Sequence, residues 1–260
     1  MTTFWSKTWP KSLFAAMATL ALPIAAMSKD APPVRPIGQP AVDTGVHSYI
    51  LLDRTGSMSD IWDEALSSVN AYAKSVGEEE AGEADIETIV NLAVFDAQEG
   101  LQFDVLRRGI EAETWKEVTN DEAHPRGMTP LFDAIGRIVA LAEADAPEKA
   151  VLVIMTDGLE NASREMTGEG AKAALDRARD RGWEVVFLGA EFANFSDAES
   201  VGVSSGQSIA VGSQQFGITM ERLGKKSRYY AQEAEATIEF DDEDRAVAGE
   251  EEVKRKNGQR

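Results

Sequence analysis

"ILLDRTGSMSD", residues Ile50 to Asp60, is the stretch on which the reading of the fold turns. It closes a continuous apolar run, Val46 to Asp53, that stops abruptly on an aspartate. Two hydroxyls follow, Thr55 and Ser57, on either side of Gly56. From Met58 onward Ile61, Trp62, Ala65, Leu66, Val69, Ala73 and Val76 recur at the spacing of one helix face. A buried strand, a polar turn and an amphipathic helix are expected in that order. The polar turn has two readings. Asp53 could bond loop amides while Ser57 or Ser59 caps the helix. Alternatively, the oxygens at alternate positions could converge on a metal.

The same alternation continues along the chain. "IETIVNLAVFD" and "LQFDVLRRGI" read as two strands of a hairpin across "DAQEG". Leu131, Phe132, Ile135, Ile138, Val139 and Ala142 mark a second helix. "AVLVIMTDG" is another buried strand that stops on an aspartate, Asp157. "AKAALDRARDRG" is a helix closed by Gly182, and "WEVVFLGA" a further strand. "ANFSDAESVGV" suggests a short helix and "SIAV" a last short strand. Gln214 to Ala231 reads as a final helix, more simply a solvated surface helix than a moving one. The expected fold is α/β and doubly wound. Its six-stranded sheet is mainly parallel, with one antiparallel edge strand and helices on both faces. Ligands of such sheets bind beyond the carboxyl ends of the strands, where the strand order switches direction. Asp53 and Asp157 both stand at such ends.

The totals exclude several functions. The 260 residues carry a formal net charge of -19. That opposes nucleic-acid binding and docking on anionic lipid. The acidic runs "EEEAGEAD" and "DDED" read as solvated surface. With no cysteine, the chain has no disulfide, thiolate metal site or cysteine nucleophile. Two histidines, His47 and His124, are poor material for a zinc site and read as incidental. Residues 1–27 have the order of a secretory signal: Lys7 and Lys11, then "SLFAAMATLALPIAAM". This run is short for a membrane span. A true start at Met27 is the rival explanation, so the expected location is exported or periplasmic in one case and cytoplasmic in the other. Residues 28–45 read as a proline-rich linker, 46–231 as the folded domain, and 232–260 as a charged, disordered tail.

Asp53, Thr55 and Ser57 form the core of the candidate site, and the oxygen ligands suit a hard cation such as magnesium. One loop cannot complete six positions, so Thr129 in "PRGMTPLFDAIG" and Asp157 in "IMTDGLEN" are the further candidates. Each has a plainer reading. Thr129 before Pro130 is a sound helix start, a hydroxyl cap followed by proline at the first helical position. Asp157–Gly158 is a common turn pair.

"LLDRTGSM", "PRGMTPLFDAIG", "VIMTDGLENASRE" and "GWEVVFLGA" resemble bacterial stand-alone members of the von Willebrand factor A domain family, in the right order across about residues 46 to 230. The resemblance implies a Rossmann-like sheet with a metal-ion-dependent adhesion site. It implies that Thr55 and Ser57 bind the ion directly, Thr129 directly or through water, and Asp53 and Asp157 largely through ordered waters. Magnesium is the implied ion, with manganese or calcium as possible substitutes. The implied partner is a protein that supplies an Asp or Glu carboxylate to the ion's open position. One departure is visible: the family's usual first motif has serine where this chain has Thr55, which keeps the oxygen and adds a methyl.

Two rivals compete. Haloacid-dehalogenase-like phosphatases also place a strand-end aspartate in a magnesium crevice, but usually carry a second aspartate two residues later, where this chain has Thr55. The other is a metal-free structural module. No "GxxxxGK[ST]" phosphate loop occurs.

Overall fold

The computed structural model describes residue 1 and residues 45–79, 86–190, 196–233 and 236–258. The expected signal and linker therefore lie outside the described residues, apart from Met1 and Gly45. So does most of the acidic run after the first long helix. The chain divides into two units, Met1–Ala41 and Val42–Arg260, and every strand and helix among the described residues belongs to the second. Among the described residues no helix is long and apolar enough to cross a membrane.

The apolar run forms β1 (Val46–Asp53), and the next strands are β2 (Thr88–Ala97) and β3 (Leu101–Glu111). After them come β4 (Ala150–Thr156), β5 (Glu184–Ala190) and β6 (Ser208–Val211). They make one sheet in the order β3-β2-β1-β4-β5-β6. All neighbours are parallel except β2 and β3, the expected hairpin at the edge. Strand order reverses direction at β1, which pairs with β2 on one side and β4 on the other. The crevice of a doubly wound sheet therefore opens beyond the ends of β1 and β4.

Alternation along β1 divides the core into two layers. Ile50 and Leu52 pack with α1 (Trp62–Gly77) and α5 (Phe216–Gln232). Tyr49 and Leu51 face the other way, toward α2 (Leu131–Asp145) and α3 (Gly168–Asp180). The short α4 (Ser196–Ser200) follows β5 and contributes Ala198 to that second layer.

Two expectations are corrected. The final helix of the motif region, α5, is not a solvated surface helix. Phe216, Met220, Leu223 and Tyr230 are buried along it, and it lies against α1. Ser75 Oγ donates to the Glu221 carbonyl, Arg228 to the Val76 carbonyl, and Tyr72 to Ser227. At its carboxyl end Lys149 Nζ donates to the carbonyls of Tyr230, Ala231 and Glu233, groups that helix geometry leaves without partners.

The charged tail is not disordered over its described residues. It forms α6 (Asp242–Ala248) and α7 (Glu250–Gly258). In the "DDED" run Asp241, Asp242 and Glu243 are exposed, as expected of solvated surface, but Asp244 is buried and the run also caps α6. Asp241 accepts from the Asp244 N–H while Asp244 accepts from the Asp241 N–H. Asp244 is buried and paired with Arg222 and Lys226 of α5. Beyond it, Glu250 accepts from the Ala210 N–H and Arg245 donates to the Ser208 carbonyl, so side chains occupy backbone groups of the edge strand β6.

Candidate metal centre

β1 delivers Asp53 to the crevice floor, where it is fully buried. One carboxylate oxygen accepts from the Thr55 N–H at 2.7 Å, and the other from the Thr156 hydroxyl at 2.6 Å. The chain then turns through a short 3-10 segment, Gly56–Ile61, before α1 begins. Neither Ser57 nor Ser59 caps a helix: Ser59 donates to the Gly56 carbonyl, and Ser57 Oγ donates to Asp157 Oδ1 at 2.7 Å. The Thr55 and Ser57 hydroxyls lie 3.1 Å apart, and Thr129 Oγ1 lies 3.4 Å from Thr55 Oγ1. All five predicted side chains thus come together from three separate loops. Burial grades from Asp53, Thr55, Thr129 and Asp157, all nearly inaccessible, to Ser57 at the exposed lip.

The Thr129 hydroxyl does not cap α2, which begins at Leu131 with no side-chain cap from Pro130. The caps arrive from the loop after β4. Glu160 accepts from the Phe132 N–H at 3.0 Å, and Ser163 Oγ from the Asp133 N–H at 3.1 Å. Asn161 accepts from the Thr129 N–H at 2.9 Å, and its own N–H donates to the Thr129 carbonyl at 3.0 Å. Asp133 returns the exchange by accepting from the N–H groups of Arg164, Glu165 and Met166. This clasp leaves the Thr129 hydroxyl facing the crevice oxygens.

A second group fixes the first loop from behind. Arg54, immediately after Asp53, is buried and paired with Asp96 at 2.7 Å and with Asp104. Asp96, buried at the end of β2, also takes Arg126. Gly127 packs against this pair with φ of +72°; a Cβ there would lie 2.9 Å from Asp96 Oδ2. Sequence reading missed Arg54, Asp96, Asp133, Glu160 and Asn161. The local signal was an arginine inside the first motif and a density of polar residues after β4, neither of which specifies partners.

The donor set fits a hard divalent cation. Among the described residues no three His, Cys, Asp or Glu side chains converge. The crevice instead offers two carboxylates and hydroxyls, oxygen donors suited to magnesium, manganese or calcium. A Cβ on Gly158 would lie 2.9 Å from Thr129 Oγ1 and 3.5 Å from Ser57 Oγ, so glycine keeps the space between those hydroxyls open. Charge points the same way. Among the described residues no cation pairs with Asp53. Burial pushes its carboxyl up to about 7; the Thr156 hydroxyl and the Thr55 N–H oppose the rise, and Asp157 adds to it. Burial likewise raises Asp157, against the Ser57 hydroxyl. Two acids whose charged forms burial disfavours are relieved by a bound dication.

No protein-family model matches the chain, and no curated protein matches it. Its likeness lies with solved structures. The sheet order and the strand-end crevice define a von Willebrand factor A-type fold. The vWF domain of the type V pili tip protein Mfa5 from Porphyromonas gingivalis is similar at a TM-score of 0.53 and 10% identity, over 75% of this chain and 99% of that one. The pilus adhesin SpaC from Lactobacillus rhamnosus GG is similar at a TM-score of 0.55 and 13% identity, over 71% of this chain. This chain spans only 30% of the length of that adhesin.

Proposed function

We propose that the chain is a metal-ion-dependent protein-binding module with no catalytic role, serving adhesion or scaffolding. Asp53, Thr55, Ser57, Thr129 and Asp157 would hold the ion, with magnesium the first choice and manganese or calcium as substitutes. A bound dication supplies an open position that an Asp or Glu side chain of a partner protein can fill. The chain's own residues do the rest. Asp53 and Asp157 offset the positive charge, the three hydroxyls contribute neutral oxygens, and the clasp from Glu160 to Ser163 holds Thr129 in line.

The observation that carries this reading is the cluster of Thr55, Ser57, Thr129 and Asp157 side-chain oxygens, spaced at hydrogen-bond distances across three loops, with the Asp53 carboxylate held beside it on the Thr55 N–H. The neighbours support it from outside: one is a pilus adhesin and the other a domain of a pilus tip protein. A surface or periplasmic location accords with them and with the signal-like order of residues 1–27.

Long-range repulsion between this acidic chain and an acidic partner is screened beyond about 8 Å at physiological ionic strength, whereas direct coordination is not. Capture should therefore fail without metal yet weaken little with salt. The test is a pull-down from the source cell with and without chelator, repeated with Asp53→Ala. Proteins lost under both conditions support the reading; an identical set in every arm contradicts it.

A further inference from the structure

Among the described residues, two of the large apolar side chains left exposed stand beside the crevice. Met128 is 52% exposed and precedes Thr129; Leu159 is 50% exposed and follows Asp157 and Gly158. Among the described residues the other exposed large hydrophobics beyond Met1 are scattered singly on β3 and α5 (Val105, Ile218 and Tyr229). Single exposed apolar residues need no explanation, but two on adjoining loops at one site do.

Both loops are held firmly. Met128 exchanges backbone hydrogen bonds with Ala97, its N–H donating at 3.2 Å and its carbonyl accepting at 2.9 Å. The Leu159 loop is joined to the Met128 loop by the paired bonds between Thr129 and Asn161. The apolar groups are thus presented on a rigid frame, with little ordering cost on contact.

We propose that the crevice selects an acidic residue flanked by aliphatic side chains, with Met128 and Leu159 forming the apolar rim that those neighbours cover. This rests on the metal-dependent reading above. The physical reason is dehydration. A carboxylate–ion contact is stronger where water is kept away from it, and apolar contacts around a polar centre exclude water without competing for it. A partner whose acidic residue lies between serines or lysines leaves the rim wet.

The experiment uses the full chain with saturating magnesium and two fluorescent peptides, Gly-Leu-Glu-Leu-Gly and Gly-Ser-Glu-Ser-Gly. Binding is followed by anisotropy, and magnesium uptake by calorimetry on the same samples. Burying the added leucine surface should favour the first peptide by about tenfold or more. The double variant Met128→Ser, Leu159→Ser should take up magnesium as the unmodified chain does while losing that preference. Equal binding of both peptides with normal magnesium uptake overturns the rim and leaves the metal reading intact. A preference that survives the double substitution also overturns it. Absence of magnesium uptake by the unmodified chain overturns both.

Discussion

Asp53 is the residue where stability and function pull against each other. Its carboxyl is pushed up to about 7 by burial, well above the ordinary aspartate value that it regains on unfolding. Between those two values the folded chain holds a proton that the unfolded chain has released. The contribution of Asp53 to stability without metal is therefore fully present below the unfolded value and is lost as pH rises toward about 7. Denaturant titrations with chelator at pH 5 and pH 8 should show that fall, and added magnesium should reverse it at pH 8. Asp53→Asn keeps the shape without the charge. It should stabilise the metal-free chain at alkaline pH by about 1–3 kcal/mol while abolishing metal uptake. A variant less stable than the parent at pH 8 in chelator would contradict a crevice floor strained by its own charge.

Asn161 makes a second residue-level prediction. It holds both the N–H and the carbonyl of Thr129. Asn161→Ala should cost about 1–2 kcal/mol of stability for the lost hydrogen bond. It should also weaken metal binding about 10–100-fold, because a group that orients a ligand acts almost as strongly as the ligand. Calorimetric titration checks the second figure separately from the first.

Among the elements, the packing of α5 on α1 is the least forgiving. A Cβ on Gly224 would meet Ser75 Cβ at 2.8 Å and the Val76 nitrogen at 3.0 Å. Backbone cannot yield as a flexible side chain does. Gly224→Ala should therefore destabilise the fold by about 1–3 kcal/mol despite alanine's better helix propensity, as a urea midpoint would show. The strands and most helices were legible because they obey local rules, such as the apolar run from Val46 and the helical spacing from Met58. The two strand-end aspartates were legible for the same reason. The clasp and the tail were not. Glu160 and Asn161 look like any polar loop pair until β4 sets them beside α2. Asp244 looks solvated until Arg222 and Lys226 approach it from α5. Such pairs are made by tertiary placement and leave no periodic trace. Thr129 was open to two readings: its hydroxyl before proline is a good cap locally, and the long-range caps from Glu160 and Ser163 make that role unnecessary.

For the whole molecule, the architecture explains why distant residues share one crevice. The order β3-β2-β1-β4-β5-β6 sets the ends of β1 and β4 side by side, bringing the Ser57 hydroxyl and the Asp157 carboxylate to 2.7 Å although they stand far apart in the chain. The two apolar layers fix the sheet, and the charged loops rest on its upper edge. An ion held there should stabilise the whole fold, since a ligand that binds only the native state raises its stability by mass action.

The most direct measurement is a calorimetric titration of magnesium into the pure folded chain near neutral pH, in two buffers that differ in ionisation enthalpy. Saturable uptake at a single site is the expected result. Protons should be released as Asp53 gives way to the ion, and both signals should vanish in Asp53→Ala. No uptake at millimolar magnesium, manganese or calcium by a chain that remains folded would contradict a metal centre at this crevice.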